Sequence, residues 1–456
     1  MIVRSAKWWD AEKDMAHAMC VDVARQVKSS QRWRRDADEY HAALYAGGPA
    51  AADIRGDSTR SVDYSPSRYP YNICRSAVDT LTAKIAKSRP LPVVLPNNGN
   101  WMDRKRSKKL TQYLEGEFWR QKFFEKWARQ IVRDALVFGR GLLYITSVGK
   151  RIHTERAMPW EVYVDRWDAR YGDPQNIYRI RSIDRGVALA RYGYEDGKPR
   201  VNDAGTNIVE HLETCGSSGL GDDADVQSDA TVDRVWIVEA WHLASGPEEG
   251  DGRYVLCVDG CTLVDEEWTR EYFPFAKLDY TDAIAGYWGQ GLVEQAEGFQ
   301  YDLNEMAEKI SDAHHIMGMS LIVTDDDQIP DAHFVNGAGY RLLKRPGTSL
   351  DVFQPQPVAT QTYQRFKDLP QDCLNSLGLS QMSVQSQKPA GITAGIALQT
   401  LDDVETERFA MFGRAYEAWC IACGQMYIDQ TSDIAREYGE MSVDVPMRTG
   451  VLSLKW

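Results

Sequence analysis

Hydrophobic spacing changes period at Gly139, Arg140 and Gly141, and that change divides the chain between two kinds of folding unit. Before it, Leu110, Leu114, Phe118, Phe124, Trp127, Ile131, Ala135 and Phe138 lie close to a three-or-four spacing, which predicts one long amphipathic helix. Gly139 follows the last periodic residue, where a helix stop belongs. Upstream, Ile73, Val78, Leu81 and Ile85 predict another helix, closed off by Pro90 and Pro92. After Gly141 the stretches 142–147, 161–165, 177–181 and 235–241 are β-branched and aromatic-rich, as strands are. Residues 253–258 and 261–264 flank Asp259 and Gly260, a hairpin signal. Residues 216–225 read as a loop by composition.

A second helical block begins near residue 292. Leu292, Ala296, Phe299, Leu303, Met306 and Ile310 alternate spacings of four and three, a heptad-like apolar seam. The rest of that helix carries Glu294, Glu297, Asp302, Glu305, Glu308 and Asp312, with Lys309 its one base. An apolar stripe backed by acid suits either a helix packed beside others, with its far side turned to something it should not bind, or an ordinary core helix with a solvated face. Short strand-like pieces follow at 320–324 and 340–344, around Asp325, Asp326 and Asp327. From about Thr360 another helix carries Tyr363, Phe366, Cys373 and Leu377 on one side, and Pro370 should kink it. Residues 379–393 read as a loop, and a last long helix runs from about Gly395 towards Tyr438, before a strand-like end at 451–456.

Length implies more than one sub-domain: at 456 residues the chain exceeds the size at which one core stops growing. Its apolar runs, such as 135–138 and 321–323, are far too short to span a bilayer, and residues 1–10 lack a signal peptide's apolar core. The expected setting is therefore a cytoplasm, or something assembled there. The net charge of −13 hides an asymmetry: residues 1–140 hold 26 Lys+Arg against 16 Asp+Glu, and residues 201–330 hold 5 against 28. Segregated charge points to two surfaces with different partners, or to acidic solvated loops.

Catalytic constellations are mostly missing from the sequence. It has no phosphate-binding G-x-x-x-x-G-K-[ST] loop, no G-x-S-x-G elbow, no H-E-x-x-H and no dinucleotide fingerprint. Of eight cysteines only Cys420 and Cys423 have a metal-like spacing; they sit in a helical stretch without a second ligand pair, and core packing is expected. His314 and His315 are adjacent, so their rings cannot share a helix face as ligands. The three aspartates from Asp325 read as a solvated turn, and pairing of carboxylates such as Glu239 and Glu297 by folding stays open. No catalytic residue, metal ligand or cofactor is assigned.

Several local stretches, taken in order, resemble those of tailed-bacteriophage portal proteins, over roughly residues 70–440. They are Tyr71, Asn72 and Ile73 opening a helix that ends at Arg89 and Pro90, and the helix ending through Ala135 and Phe138 into Gly139 and Gly141. Pro159 to Asp165 follows, then Gly286, Tyr287, Trp288, Gly289, Gln290 and Gly291 entering the seam helix, then Gln387, Lys388, Pro389, Ala390 and Gly391 leading to Gly395.

The resemblance implies a mixed α+β, ring-forming subunit, usually one of twelve, around a channel for double-stranded DNA. Residues 1–285 would be the wing, helical to about 140 and then β-rich. Residues 286–317 would be the first stem helix, 318–352 the small α/β clip, 353–379 the second stem helix, 380–395 the tunnel loop, and 396–456 the wing-return helix and helical crown. On this reading Gln385, Gln387 and Lys388 approach DNA, and Glu294, Glu305, Glu308 and Asp312 face the channel. Phe299, Leu303, Met306 and Ile310 pack subunits together, and Arg341, Lys344 and Arg345 belong to the clip. The implied partners are copies of itself, the terminase motor, the major capsid or scaffold protein and a head–tail adaptor, in the virion and, during assembly, the host cytoplasm. No enzyme activity, cofactor or membrane contact is implied. Pro370 within a stem helix and the short segment after the last helix depart from the family pattern, so the crown is expected to be small. Two other readings remain: a different head–tail ring component, against which the length argues, and a metal-dependent nucleic-acid-processing enzyme.

Overall fold

A computed structural model describes residues 7–46, 71–96, 99–195, 197–202, 205–215, 233–246, 249–317, 321–324, 350–353, 359–379, 409–439, 442–447 and 450–455. Within them the chain is mixed α+β, with ten α-helices and two antiparallel sheets of three and five strands, neither closed into a barrel.

Five helices precede the first strand: α1 (Lys13–Ser30), α2 (Arg32–Ala46), α3 (Ile73–Ala86), α4 (Trp101–Arg120) and α5 (Ala128–Phe138). The single long helix read from the sequence is therefore two. Lys122 takes a left-handed φ of 50°, and a π-helical turn, Phe123–Trp127, joins α4 to α5. The turn puts Phe118 and Phe123 4.3 Å apart and stacks Phe123 on Trp419, so aromatic burial holds the break.

Strands β1 (Arg140–Val148), β2 (Arg151–Ala157) and β10 (Phe275–Asp279) form the smaller sheet, in the order β10-β1-β2. The larger follows the order β3-β4-β7-β8-β9, from β3 (Val162–Tyr163), β4 (Asn176–Asp184), β7 (Arg234–His242), β8 (Arg253–Val258) and β9 (Cys261–Glu267). Gly260, at φ 88°, makes the β8–β9 turn as its sequence signals. Between them lie the two-stranded β5 (Tyr194–Glu195) and β6 (Lys198–Pro199), and the short helices α6 (Arg185–Ala188) and α7 (Ile208–Thr214).

Alternation along β7 shows how the layers form. Val238 and Ala240 face α1, with Trp8 sealing the edge, whereas Val235 and Ile237 face the side covered by α6 and α7. The two sheets meet around Leu142, Tyr144, Trp241 and Phe275.

The largest core unites α3, α5, the smaller sheet and three further helices: α8 (Leu292–Met317), α9 (Thr360–Leu377) and α10 (Ala410–Tyr438). The Cys420 and Cys423 thiols are buried in it; burial pushes Cys420 up to about 12, so it stays protonated and unreactive at neutral pH. Helix α9 runs through Pro370 in one piece, with Pro370 buried; the carbonyl of Phe366 loses its intrahelical donor there. A last hairpin, β13 (Ser442–Met447) with β14 (Gly450–Lys455), packs on α4.

Candidate functional site: a two-helix arm

Helices α8 and α9 lie along one another and share the largest core. Leu292, Ala296 and Leu303 are wholly buried within the chain, while Phe299, Met306 and Ile310 are only partly covered. Glu294, Glu305, Glu308 and Asp312 are all exposed. At 3.6 residues per turn those four acids fall within about 60° of arc, opposite the seam. Lys309 neutralises one of them, its ammonium 2.5 Å from Glu305. On the arm's flank a notch of about 500 Å³ opens beside Tyr40, Phe299, Tyr301 and Arg365. Further out, the Tyr363 hydroxyl meets the His314 ring 2.6 Å away, tying the helices together.

Past α8 the chain makes strand β11 (Leu321–Thr324), and before α9 it returns as β12 (Leu350–Phe353). The two pair antiparallel, Leu321 opposite Phe353 and Thr324 opposite Leu350, so the ladder closes the base of the excursion 325–349. Arg341, Lys344 and Arg345 belong to that excursion and lie outside the described residues, as do Gln385, Gln387 and Lys388 of the segment 380–395.

The root of the arm rests on a residue that the pattern of the sequence does not single out. Gln300, 3% exposed, accepts from the backbone N–H of Ile73 at 2.9 Å and of Cys74 at 3.4 Å, which caps α3. Its amide nitrogen donates to the Tyr71 carbonyl at 2.8 Å and to Asn304 at 3.0 Å. Asn72 completes the joint: its side chain accepts from Arg75 N–H and donates to the carbonyls of Leu44 and Tyr45. The Tyr71 ring lies edge-on to Phe366 of α9, 6.2 Å between centroids. Tyr71, Asn72 and Ile73, notable in the sequence, thus join α2, α3, α8 and α9. Glu297 pairs with His41 of α2 at 3.1 Å.

Two glycine pairs fix where α8 leaves the sheet. A Cβ on Gly139 would stand 2.4 Å from the Gly289 carbonyl oxygen, and one on Gly291 would stand 2.8 Å from the Gly139 nitrogen. Two guanidinium groups lie over the Trp288 ring there, Arg34 at 4.3 Å and Arg140 at 5.0 Å from its centroid. Arg140 in turn forms a buried ion pair with Asp38 of α2.

A second concavity, about 700 Å³, opens between the two sheets and α10, beside Tyr144, Glu155, Arg181, Glu239, Trp241 and Tyr254. Its floor is a charge network. Arg179 contacts Glu155 at 2.5 Å, Glu161 at 3.1 Å and Glu239 at 3.6 Å, and Arg181 contacts Glu155 at 2.8 Å. Burial works to raise the Glu155 carboxyl, but His153, Arg179 and Arg181 together hold it well below the usual carboxylate range. Glu239 and Glu297 thus stand in separate ion pairs. Among the described residues no group of three His, Cys, Asp or Glu side chains is placed to hold a metal ion, and no helix is long and apolar enough to cross a membrane.

No known protein family matches the chain, and no curated protein does.

Proposed function

We propose that this chain is a portal-like subunit: a ring, usually of twelve copies, through which double-stranded DNA is packaged and released at one vertex of a viral head. The observation that carries the reading is the arm. Two packed helices share the core of an α+β body, a β-ladder pairs the chain after one with the chain before the other, and the first carries four exposed acids within one arc.

In this reading 1–285 is the wing and α8 and α9 are the stem. Residues 318–352, with Arg341, Lys344 and Arg345, are the clip that meets the terminase motor and later a head–tail adaptor. Residues 380–395 are the tunnel loop, and 396–456 the wing-return helix and crown. Major capsid or scaffold protein surrounds the ring, in the virion and, during assembly, in the host cytoplasm.

The chemistry suits a conduit. Every phosphate neutralised by Lys or Arg releases counterions and adds affinity, which resists sliding. Glu294, Glu305, Glu308 and Asp312 on the channel wall repel the duplex and keep it centred. Lys388 of the tunnel loop touches passing phosphates, with Gln385 and Gln387 as neutral neighbours. The part-covered Phe299, Met306 and Ile310, with the notch beside Phe299, give the next subunit an apolar foothold, backed by Leu303. Electron microscopy and mass determination on the purified protein test this. Closed rings with a hole wide enough for duplex DNA support it, and a monomer at every concentration, with or without other head components, rejects it.

A further inference from the structure

A cluster of positive charge lies on α4, within the helical part of the chain that precedes the first strand. Arg104, Lys105, Lys108 and Lys109 are all exposed. At 100° per residue they share one face, together with Trp101 and Trp119, each 67% exposed. The two indoles are five helical turns apart, about 27 Å along the axis, with the four cations between them. Lys105 lies over the Trp101 ring, 4.9 Å from its centroid.

This arrangement is costly to an isolated chain. Arg104 with Lys108 and Lys105 with Lys109 are like-charge pairs at i,i+4, which destabilise a helix. They also stand in its N-terminal half, where the backbone dipole is itself positive. Asp103 is the only acid in the first turn, and the Asn100 side chain makes no capping bond. Among the described residues no ion pair joins the four cations to a carboxylate. A solvated face of a helix normally mixes signs; the first half of this one carries four cations, with Glu115 the nearest acid on the same face, in a chain of net charge −13.

We propose that this face of α4 is a docking surface for the phosphate backbone of duplex DNA, outside the channel. Side chains one turn apart on a helix are separated by about 6 Å, so the two pairs of cations can meet several phosphates of one strand. The exposed indoles at either end pack on sugar edges. The contact carries no sequence preference, because it reads charge alone. In the ring it gives packaged DNA a hold on the wing while the acidic stem keeps the channel free.

The choice of DNA as the polyanion rests on the portal reading, and the two fail separately. Anisotropy of a labelled 20-bp duplex with the full-length protein, titrated from 50 to 200 mM salt, is the test. The wild type binds, and its affinity falls about 10²-fold over that range if four phosphates are contacted. The quadruple variant Arg104→Gln/Lys105→Gln/Lys108→Gln/Lys109→Gln, with an unchanged circular dichroism spectrum, lowers the log–log salt slope by about 3 to 4. The swap Arg104→Lys/Lys105→Arg/Lys108→Arg/Lys109→Arg retains binding. No saturable binding at 50 mM salt, an unchanged slope in the quadruple variant, or tighter binding of a polyglutamate peptide than of the duplex overturns the site. Rings without this affinity reject the site and leave the ring; affinity on a chain that never closes into rings does the reverse.

Discussion

Gly139 and Gly289 meet backbone to backbone: a Cβ on Gly139 would stand 2.4 Å from the Gly289 carbonyl oxygen, and Gly139 is at φ 78°. The end of α5 and the approach to α8 thus touch at a point with no room for a side chain, which sets the direction in which the arm leaves the body. Gly139→Ala combines overpacking against rigid backbone with left-handed strain, a loss of about 2–4 kcal/mol. Gly149 is the control, at φ 55° with nothing within 4 Å of its would-be Cβ. Gly149→Ala should lose only about 1 kcal/mol. Urea unfolding of the two variants measures the difference, and equal losses would remove the close approach as an explanation.

The joint at Gln300 makes a second prediction. Gln300→Leu keeps the volume but strands the N–H of Ile73 and the carbonyl of Tyr71, at about 1–3 kcal/mol. The loss should be local, so limited proteolysis should cut the α8–α9 arm faster while the five-stranded sheet remains protected. Unchanged cleavage rates would mean that water replaces the amide without penalty.

Glu155 gives the fold a pH signature. Its carboxyl titrates below its ordinary value of 4.5 in the folded state, so its contribution to stability is full above 4.5. That contribution fades as pH falls through the lower folded value. The stability gap between wild type and Glu155→Gln should therefore be constant from pH 7 to about 5 and narrow below 4.5. A gap that widens towards acid would reverse the sign and remove Arg179 and Arg181 as its cause.

The sequence shows residues that end or begin elements more readily than residues that join them. Gly139, Gly141, Gly289 and Gly291 stand out as punctuation, yet the contact of Gly139 with Gly289 and Gly291 crosses some 150 residues of chain and has no local signal. The break between α4 and α5 was legible in part: Leu110, Leu114 and Phe118 are four apart, and the step to Phe124 is six. Strand β2 escapes notice because its alternate positions are Arg151, His153 and Glu155, exposed or half-buried, and the buried ones include Thr154. Gln300 looks like any polar residue on a helix; only the fold buries it. The acidic face and the seam of α8 follow from period alone, because a 26-residue helix repeats its pattern often enough to define both.

Seam residues divide by burial, and so should their variants. Leu303 is wholly buried in its own chain, and Leu303→Ala should cost about 2–5 kcal/mol of subunit stability. Met306 and Ile310 are only partly covered. Met306→Ser/Ile310→Ser should spare the subunit's unfolding midpoint by comparison and prevent ring closure, read by mass determination. Rings of normal size from the double variant would remove the outer seam from the subunit interface.

The acidic stripe of α8 tests the conduit itself. Screening limits each carboxylate's reach to about 8 Å at physiological salt, so the stripe affects DNA only where the duplex passes close by. All four positions are exposed and away from the core, so Glu294→Lys/Glu305→Lys/Glu308→Lys/Asp312→Lys should fold and assemble. Every subunit then gains four cations on the channel wall, and each phosphate met there adds counterion-release affinity where the wild type has repulsion. Packaging should slow or stall, and rings should retain duplex in a salt-dependent way. The neutral set Glu294→Gln/Glu305→Gln/Glu308→Gln/Asp312→Asn should fall between the two, because it removes repulsion without adding attraction. Packaging at the wild-type rate in the lysine variant, with no gain in duplex retention, would place the stripe on the outer wall of the arm.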